Sequence, residues 1–189
     1  MALMLSTMMD LGTEAPDFTL PDTLSGDDIN LHLDSLDASA TLVMFICNHC
    51  PYVIHVQEEL AAIADDYLDK GLKVYAISSN DVSRYPQDGP KEMEAFAKAN
   101  GYDFPYLYDK TQEVARAYDA ACTPDFFLFD SDLKLAYRGR LDESRPNSGL
   151  PVTGIDMRNA IDKILNGESI KEADQKPSAG CSIKWLQEG

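Results

Sequence analysis

A continuous apolar run, residues 41–46, ends directly at two cysteines that are separated by two residues. Such a run predicts a strand buried on both faces, as in a sheet that helices cover. After the cysteines, apolar residues recur at helical spacing at Val53, Val56, Leu60, Ile63 and Tyr67. Gly71 predicts that this helix ends just past Lys70. A strand, a cysteine pair and a helix therefore follow one another without a break.

The rest of the chain alternates between strand and helix patterns. Strands are predicted at 72–78, 104–108, 125–129 and 133–138, and helices at 91–100, 112–120 and 154–166. The last two strands are joined by polar residues that favour a hairpin. Alternation of this kind predicts an α/β fold with a central mixed β-sheet flanked by helices.

Chain length and the lack of a linker predict one domain with two appendages. The 189 residues are a normal length for a single domain. We expect a flexible N-terminus at residues 1–12, a main domain at 13–166, and a C-terminal tail at 167–189 that docks on this domain. The apolar start of the chain carries no Lys or Arg and is too short for a signal peptide, so we expect no leader.

Charge and hydropathy limit the partners that the sequence predicts. The chain has 32 acidic residues against 16 basic ones, for a formal net charge of -16. Nucleic acids and anionic membrane surfaces are polyanions, so we expect neither of them as a partner. No run reaches the roughly 18 apolar residues that a membrane span needs. With no leader expected either, the predicted location is the cytoplasm.

The two cysteines, Cys47 and Cys50, stand where thiol–disulfide chemistry needs them. Cys47 ends the predicted strand, and Cys50 falls in the first turn of the predicted helix. Helix N-termini carry partial positive charge and free N–H groups, which favour the thiolate that attacks disulfides. His49 adds a positive charge that we expect to tune the pKa of the pair. A mixed disulfide on Cys47 can then be released by Cys50, and this chemistry requires no cofactor.

Other interpretations of the cysteines stay open at this point. A structural zinc site would need two further ligands, for which the sequence offers His55, Cys122 and Cys181. No second close pair of cysteines exists, so we predict no metal. Inert core cysteines are the remaining alternative. Four cysteines in a chain of this length, in a reducing compartment, more often indicate catalysis or metal binding than a disulfide scaffold.

Four short segments match motifs of one known superfamily: APDFTLP at 15–21, CNHCPYV at 47–53, TPDFFLF at 123–129 and GCSIKW at 180–185. With these segments the chain resembles the thioredoxin superfamily, and within it the peroxiredoxin-like redoxin proteins of the AhpC/TSA type. The resemblance implies a thioredoxin-like fold with an N-terminal extension and a C-terminal tail. It also implies that Cys47 is the nucleophile and Cys50 the resolving thiol. Finally, it implies a cis peptide between Thr123 and Pro124, whose backbone pairs with the substrate.

One position departs from the peroxiredoxin pattern. True peroxiredoxins have a threonine three residues before the reactive cysteine, and this chain has Met44 there. Methionine cannot donate the hydrogen bond that orients a peroxide. We therefore predict a thiol–disulfide oxidoreductase that acts on a disulfide-containing protein or small molecule and is recycled by a dithiol reductant. An antioxidant thiol peroxidase is one alternative, and a non-enzymatic redox-sensing or zinc-binding module is the other.

Three further residues are candidates for the site. Tyr52, beside the pair, is expected to shape the substrate-binding surface. Cys122 is either a buried filler or a thiol that forms an alternative disulfide with Cys47. Cys181 is either a structural cysteine or a third redox thiol, if the apolar residues Ile183 and Trp185 fold the tail back onto the domain.

Overall fold

The computed structural model describes residues 3–187, and this part of the chain contains ten strands and five α-helices. The strands are β1 (Leu3–Leu5), β2 (Thr19–Pro21), β3 (Asp28–Asn30), β4 (Ala40–Phe45), β5 (Leu72–Ser78), β6 (Tyr106–Tyr108), β7 (Cys122–Thr123), β8 (Asp125–Asp130), β9 (Leu135–Arg138) and β10 (Ala179–Ser182). The helices are α1 (Leu31–Asp34), α2 (Pro51–Tyr67), α3 (Pro90–Ala99), α4 (Glu113–Ala117) and α5 (Ile155–Leu165). None of these helices combines the length and apolar character that crossing a bilayer requires.

The central sheet is mixed, and the predicted fold class is confirmed. Its five strands run in the order β6-β5-β4-β8-β9. Strands β4, β5 and β6 are parallel, whereas β8 is antiparallel to both β4 and β9. Strand β4 lies in the middle, and all of its residues are buried. The cysteine pair therefore follows the carboxyl end of the central strand.

Two apolar clusters cover the two faces of the sheet. Alternate residues of β4 enter different clusters, because successive side chains of a strand point to opposite faces. Leu42 and Met44 join the cluster that contains residues of α2, α3 and α5. Val43 and Phe45 join the cluster that contains residues of α4, of β2 and of the segment before β2. The run at 41–46 is thus buried on both sides, as predicted.

Helix α2 carries the second cysteine at its start. All five apolar positions predicted for its inner face are buried. The helix begins at Pro51, so Cys50 is the N-cap residue and lies just before the first turn in which we had predicted it. A proline at the first helical position needs no backbone donor there, which explains this boundary. A short 3-10 turn at 68–70 follows the helix, and Gly71 closes it with a φ of 96°.

The tail contributes a strand that its sequence pattern did not predict. Strand β10 lies between β1 and β7 in a small antiparallel sheet. A strand of four residues is too short to show a periodic pattern. Within residues 1–12, which we predicted to be flexible, Leu3–Leu5 forms strand β1, because the exposed edge of β10 offers it a partner. The proposed limits of the domain and the tail stay predictions, and residues 1–2 and 188–189 lie outside the described chain.

Candidate redox active site

The two cysteines of the pair lie in the loop that joins β4 to α2. Cys47 follows the end of the central strand by two residues, and Cys50 caps the helix. Only 1% of Cys47 and 0% of Cys50 is exposed. Both are free thiols in this structure. The residues between them, Asn48 and His49, are only half-buried, so the loop reaches the surface beside Cys47.

Thr123 contacts both sulfur atoms of the pair. The peptide between Thr123 and Pro124 is cis, as the resemblance implied. The Thr123 hydroxyl lies 3.5 Å from the Sγ of Cys47. The Sγ of Cys50 donates to the Thr123 carbonyl oxygen at 3.2 Å. The strand-to-loop junction at 123–124 therefore lies against the redox pair, although 73 positions separate Thr123 from Cys50.

The remaining two cysteines differ in their surroundings. The Sγ of Cys181 lies 2.9 Å from the Sγ of Cys50. The Sγ of Cys122, by contrast, donates weakly to the carbonyl oxygen of Pro124 at 3.6 Å. Burial raises the pKa of the Cys122 thiol, and its hydrogen bond goes to a backbone oxygen rather than to a sulfur. Of the two further thiols considered from the sequence, the structure thus brings Cys181 into sulfur contact with the pair.

The pair and its neighbour stabilise one negative charge on sulfur. The hydrogen bond from Cys47 is the largest influence on Cys50 and, together with one from Cys181, lowers the pKa of Cys50 to about 4 against the effect of burial. The same bond, burial and the charge of Asp88 raise the pKa of Cys47. Cys50 therefore has the lower pKa of the two, and its thiol, while protonated, donates to the Thr123 carbonyl. The N-cap position explains the difference, because Cys50 is the residue at the positive end of α2.

His49 is held by a carboxylate that the sequence analysis did not identify. Its Nδ1 lies 2.6 Å from the Oδ2 of Asp88, which is fully buried. Asp88 also accepts from the backbone N–H of Asn48 and from the side-chain amide of Asn80, each at 2.9 Å. The His49 ring stacks on Tyr85, with ring centroids 5.3 Å apart. The segment 85–88 thus fixes the orientation of the histidine between the cysteines.

Three potential metal ligands meet in the described part of the chain. Atoms of Cys47, His49 and Asp88 all lie within 4.8 Å of one another. This group has one ligand fewer than a structural zinc site needs, and the Asp88 oxygens already accept hydrogen bonds from three donors. His55, which we had considered as a zinc ligand, contacts Ser144 at 3.0 Å instead and is not in the group.

A shallow groove, with a cavity volume of only about 30 Å³, adjoins the cis-proline loop. Tyr52 and Pro124, both predicted to contact substrate, line the same groove. Its polar lining includes His55, Arg140 and Arg145. Arg140 donates to Asp156 at 2.7 Å, whereas Arg145 is exposed. The lining also contains the acidic Asp142, so Arg145 is balanced by a carboxylate in the same groove.

Comparisons with solved structures find two close relatives. A conserved protein of uncharacterised function from Geobacillus kaustophilus is 54% identical, with a TM-score of 0.96 over 100% of this chain and 99% of that one. A hypothetical protein from Sinorhizobium meliloti is 47% identical, with a TM-score of 0.94 over 97% of this chain and 99% of that one. The comparison with curated proteins gives no match.

More distant structures share the fold. The thioredoxin domain of a thiol-disulfide oxidoreductase from Bacteroides vulgatus is 20% identical, with a TM-score of 0.64 over 84% of this chain and 99% of that domain. At this identity the likeness concerns the fold alone, and it agrees with a thioredoxin-like architecture. The AhpC/TSA family model matches residues 11–138, which include the cysteine pair and the cis-proline loop. The chain therefore belongs to the AhpC/TSA family, and it is a redoxin of the thioredoxin superfamily.

Proposed function

We propose that the chain is a thiol–disulfide oxidoreductase in which Cys47 and Cys50 form the redox pair. The observation that carries this proposal is the contact of one residue, Thr123, with the sulfur atoms of both cysteines at the N-terminus of α2. A strand end, a helix N-terminus and a cis-proline loop converge there. Helix N-termini and neighbouring donors stabilise thiolates, and the thiolate is the reactive form of cysteine.

The proposed reaction moves two electrons in two exchange steps. Cys47 attacks one sulfur of the substrate disulfide, so that a mixed disulfide forms and the other substrate sulfur leaves as a thiolate. Cys50 then attacks the Sγ of Cys47, which forms the Cys47–Cys50 disulfide and releases the second substrate thiolate. The two protons of the cysteine thiols pass to the released thiolates. An external dithiol afterwards reduces the protein by the reverse exchange.

Cys47 can be the attacking cysteine even though Cys50 has the lower pKa. Each cysteine of the pair shifts the pKa of the other, so the proton of Cys47 can pass to Cys50 before the attack. The Thr123 hydroxyl, 3.5 Å from the Sγ of Cys47, is placed to donate to the thiolate that results. His49, oriented by Asp88, adds a donor group next to the same loop. These contacts support Cys47 as the nucleophile and His49 as the residue that tunes the pair.

The groove supports a class of substrate. We expect Tyr52 and Pro124 to contact the group next to the disulfide, because both line the groove beside the pair. Arg145 in the same groove attracts carboxylates. We therefore expect a disulfide-containing peptide or small molecule to pass over the groove, with a carboxylate near its sulfur facing Arg145. Both cysteines are buried, so the reaction requires the covering loops to move before a substrate sulfur reaches Cys47.

Reduction of hydroperoxides is a second candidate function, and one contact near Cys47 supports it. Met44 is buried in the core and offers no donor. The Thr123 hydroxyl is nevertheless near Cys47 and supplies a donor from another part of the chain. A peroxide-consumption assay with a dithiol donor separates the two candidates, because disulfide exchange alone consumes no peroxide.

Trapping of the mixed disulfide tests the proposed function. In the double variant Cys50→Ser with Cys181→Ser, no neighbouring thiol can resolve a mixed disulfide on Cys47. After addition of oxidised glutathione, we expect one glutathione bound to Cys47, as measured by mass spectrometry of the intact chain and of its peptides. The corresponding double variant Cys47→Ser with Cys181→Ser should bind none.

Cys122 supplies the control, because its sulfur contacts neither cysteine of the pair. Cys122→Ser alone should not change the exchange rate of the otherwise intact chain. If glutathione bound Cys50 in the variant without Cys47, and did not bind Cys47 in the variant without Cys50, then Cys50 would be the nucleophile and Cys47 the resolving thiol. Binding to neither, in variants that retain the native fold by circular dichroism, would refute disulfide exchange at this pair.

A further inference from the structure

The C-terminal strand occupies the backbone edge next to the redox pair. Strand β10 pairs antiparallel with β7, and Cys181 lies opposite Thr123. The backbone N–H of Ile183 donates to the carbonyl oxygen of Ala121 at 3.2 Å and extends the pairing. An exposed strand edge is where an extended peptide adds to a sheet. The tail therefore lies where a substrate chain bound at this edge would run.

Close packing keeps the tail backbone against the Thr123 carbonyl. A Cβ atom at Gly180 would lie only 2.0 Å from the carbonyl oxygen of Thr123 and 2.6 Å from its carbon. Any other residue at this position would force the two strands apart. The same carbonyl accepts from the Sγ of Cys50. Glycine at 180 thus lets the tail approach the group that the redox pair itself contacts.

Further contacts anchor the tail beyond the strand. The backbone N–H of Lys184 donates to the Asn80 side chain at 2.9 Å, and its carbonyl accepts from the Gln112 side chain at 2.8 Å. The guanidinium of Arg116 lies 4.6 Å from the ring centroid of Trp185. These contacts flank Cys181 on its C-terminal side. Contacts of Lys184 and Trp185, rather than of the thiol, therefore hold the sulfur of Cys181 against Cys50.

We propose that β10 is a built-in substrate strand, and that Cys181 exchanges with the Cys47–Cys50 disulfide so that the oxidised protein holds a Cys50–Cys181 disulfide. This inference rests on the proposed function. In the step, the Cys181 sulfur attacks the Sγ of Cys50. The Cys50–Cys181 bond forms, the Cys47–Cys50 bond breaks, and Cys47 leaves as a thiolate that takes up the proton from Cys181. No external oxidant is consumed, because one disulfide is exchanged for another.

The distance between the sulfurs suits this exchange. The Sγ atoms of Cys50 and Cys181 lie 2.9 Å apart, and a disulfide bond is about 2.05 Å long. Burial, and then the hydrogen bond and charge of Cys50, raise the pKa of Cys181 to about 12 in the reduced protein. The two contributions of Cys50 disappear once Cys50 is in a disulfide. The charge of Lys184, which lowers the pKa of Cys181, is unaffected by that bond.

The exchange has a consequence for the substrate edge. In the reduced protein, hydrogen bonds and packing hold β10 on β7. In the oxidised protein, the Cys50–Cys181 bond ties β10 covalently to the start of α2. The edge of β7 is then closed to another chain until a dithiol reduces the protein.

Peptide mapping of oxidised protein tests the inference. We would oxidise the full-length reduced chain with oxidised glutathione, block remaining thiols with N-ethylmaleimide in acid-quenched samples, and digest with trypsin. Cys47 and Cys50 share the tryptic peptide 1–70, so fragmentation of the linked peptides must assign the bond. In the wild type we expect the majority of oxidised chains to show Cys181 linked to Cys50, with N-ethylmaleimide on Cys47. The variant Cys47→Ser lacks the disulfide from which the exchange starts, so its Cys50 and Cys181 should remain free thiols. The variant Cys181→Ser should contain only a disulfide between Cys47 and Cys50, and Cys122→Ser should match the wild type.

The disulfide pattern that would refute the role of Cys181 differs from the pattern that would refute the proposed function. A wild type that contains only the Cys47–Cys50 disulfide would overturn the role of Cys181 and leave the proposed function intact. Absence of any disulfide in both the wild type and Cys181→Ser would refute the proposed function, and the role of Cys181 with it.

Discussion

The imidazole Nδ1 of His49 lies 2.6 Å from the Oδ2 of Asp88, and this contact joins the cysteine loop to the loop after β5. The carboxylate is fully buried, whereas the His49 side chain retains 15% of its exposure. A buried carboxylate is tolerated only when hydrogen bonds satisfy it. Three donors serve Asp88 here, and two of them belong to the loop between the cysteines. The geometry of the redox loop therefore depends on a residue outside it.

Removal of this carboxylate should destabilise the protein. The substitution Asp88→Ala leaves three buried or half-buried donors without their acceptor, and each unsatisfied donor costs about 1–3 kcal/mol. We expect the free energy of unfolding to fall by about 3–5 kcal/mol, as for other broken buried pairs. Urea unfolding followed by fluorescence or circular dichroism measures this. Asp65→Ala, on the exposed face of α2, is the control and should change stability by at most about 0.5 kcal/mol. Equal effects of the two substitutions would contradict the role of Asp88.

A side chain at position 180 should release the tail. In Gly180→Val, the added carbon atoms meet the Thr123 backbone, which cannot yield as a flexible side chain would. We expect Cys181 to react with a maleimide reagent at least several-fold faster than in the wild type, as measured by peptide mapping over time. Gly149→Ala is the control for strain alone, because its φ of 74° disfavours a side chain but a Cβ there has no atom within 4 Å. An unchanged labelling rate in Gly180→Val would show that the strand pairing does not depend on this close approach.

The contact between Cys181 and Cys50 should be visible in a titration. The contact with Cys181 lowers the pKa of Cys50, so its loss in Cys181→Ala should raise that pKa. Cys181→Ser keeps a donor at the position and should shift the pKa less. The ultraviolet absorbance of the thiolate, followed against pH in the reduced protein, measures both. Identical titrations of the two variants would mean that Cys181 donates no hydrogen bond to Cys50.

Asp125, directly after the cis-proline, should make stability depend on pH. Burial raises the pKa of Asp125 to about 7, against hydrogen bonds from backbone groups that lower it. Its ordinary value is about 3.9. Between these two values the folded chain holds a proton that the unfolded chain releases. Stability contributed by this group is therefore fully present below about pH 4 and is lost as the pH rises toward 7, at up to about 1.4 kcal/mol per pH unit.

The variant Asp125→Asn isolates this contribution. Because its amide does not titrate, the free energy of unfolding of the variant should gain on that of the wild type as the pH rises from about 5 to about 7. Urea unfolding at several pH values gives the difference, in which all other titrating groups cancel. Parallel pH profiles would show that Asp125 titrates alike in the folded and unfolded chains.

Local patterns predicted the parts of the fold that hold the cysteine pair. The apolar run at 41–46 and the helical spacing after it report burial within one element, so strand β4 and helix α2 emerged from the sequence at nearly their observed bounds. The proline at 51 moved the start of the helix by one residue and made Cys50 its cap. The motif at 123–129 implied the cis peptide, and the structure contains it.

Contacts between distant segments could not be predicted in the same way. His49 and Asp88 are 39 positions apart, and nothing in the spacing of either residue indicates the other. The apolar residues after Cys181 suggested a docked tail, yet no pattern selected Cys50 as its neighbour across 131 positions. Strand β10 contains glycine and serine and is too short to alternate visibly. Tertiary packing, rather than local preference, decides such contacts.

Burial of all four thiols bears on the oxidative damage that the protein can suffer. Each cysteine is less than 5% exposed, so hydrogen peroxide reaches its sulfur only during brief local openings. Overoxidation to sulfinic and sulfonic acids is irreversible or nearly so, and susceptibility to it rises with exposure and thiolate character. Burial slows the access of peroxide to every sulfur, and the Cys181 thiol lies next to Cys50, which has the lowest pKa of the four. An oxidised cysteine here should therefore form a reversible disulfide before it is oxidised further.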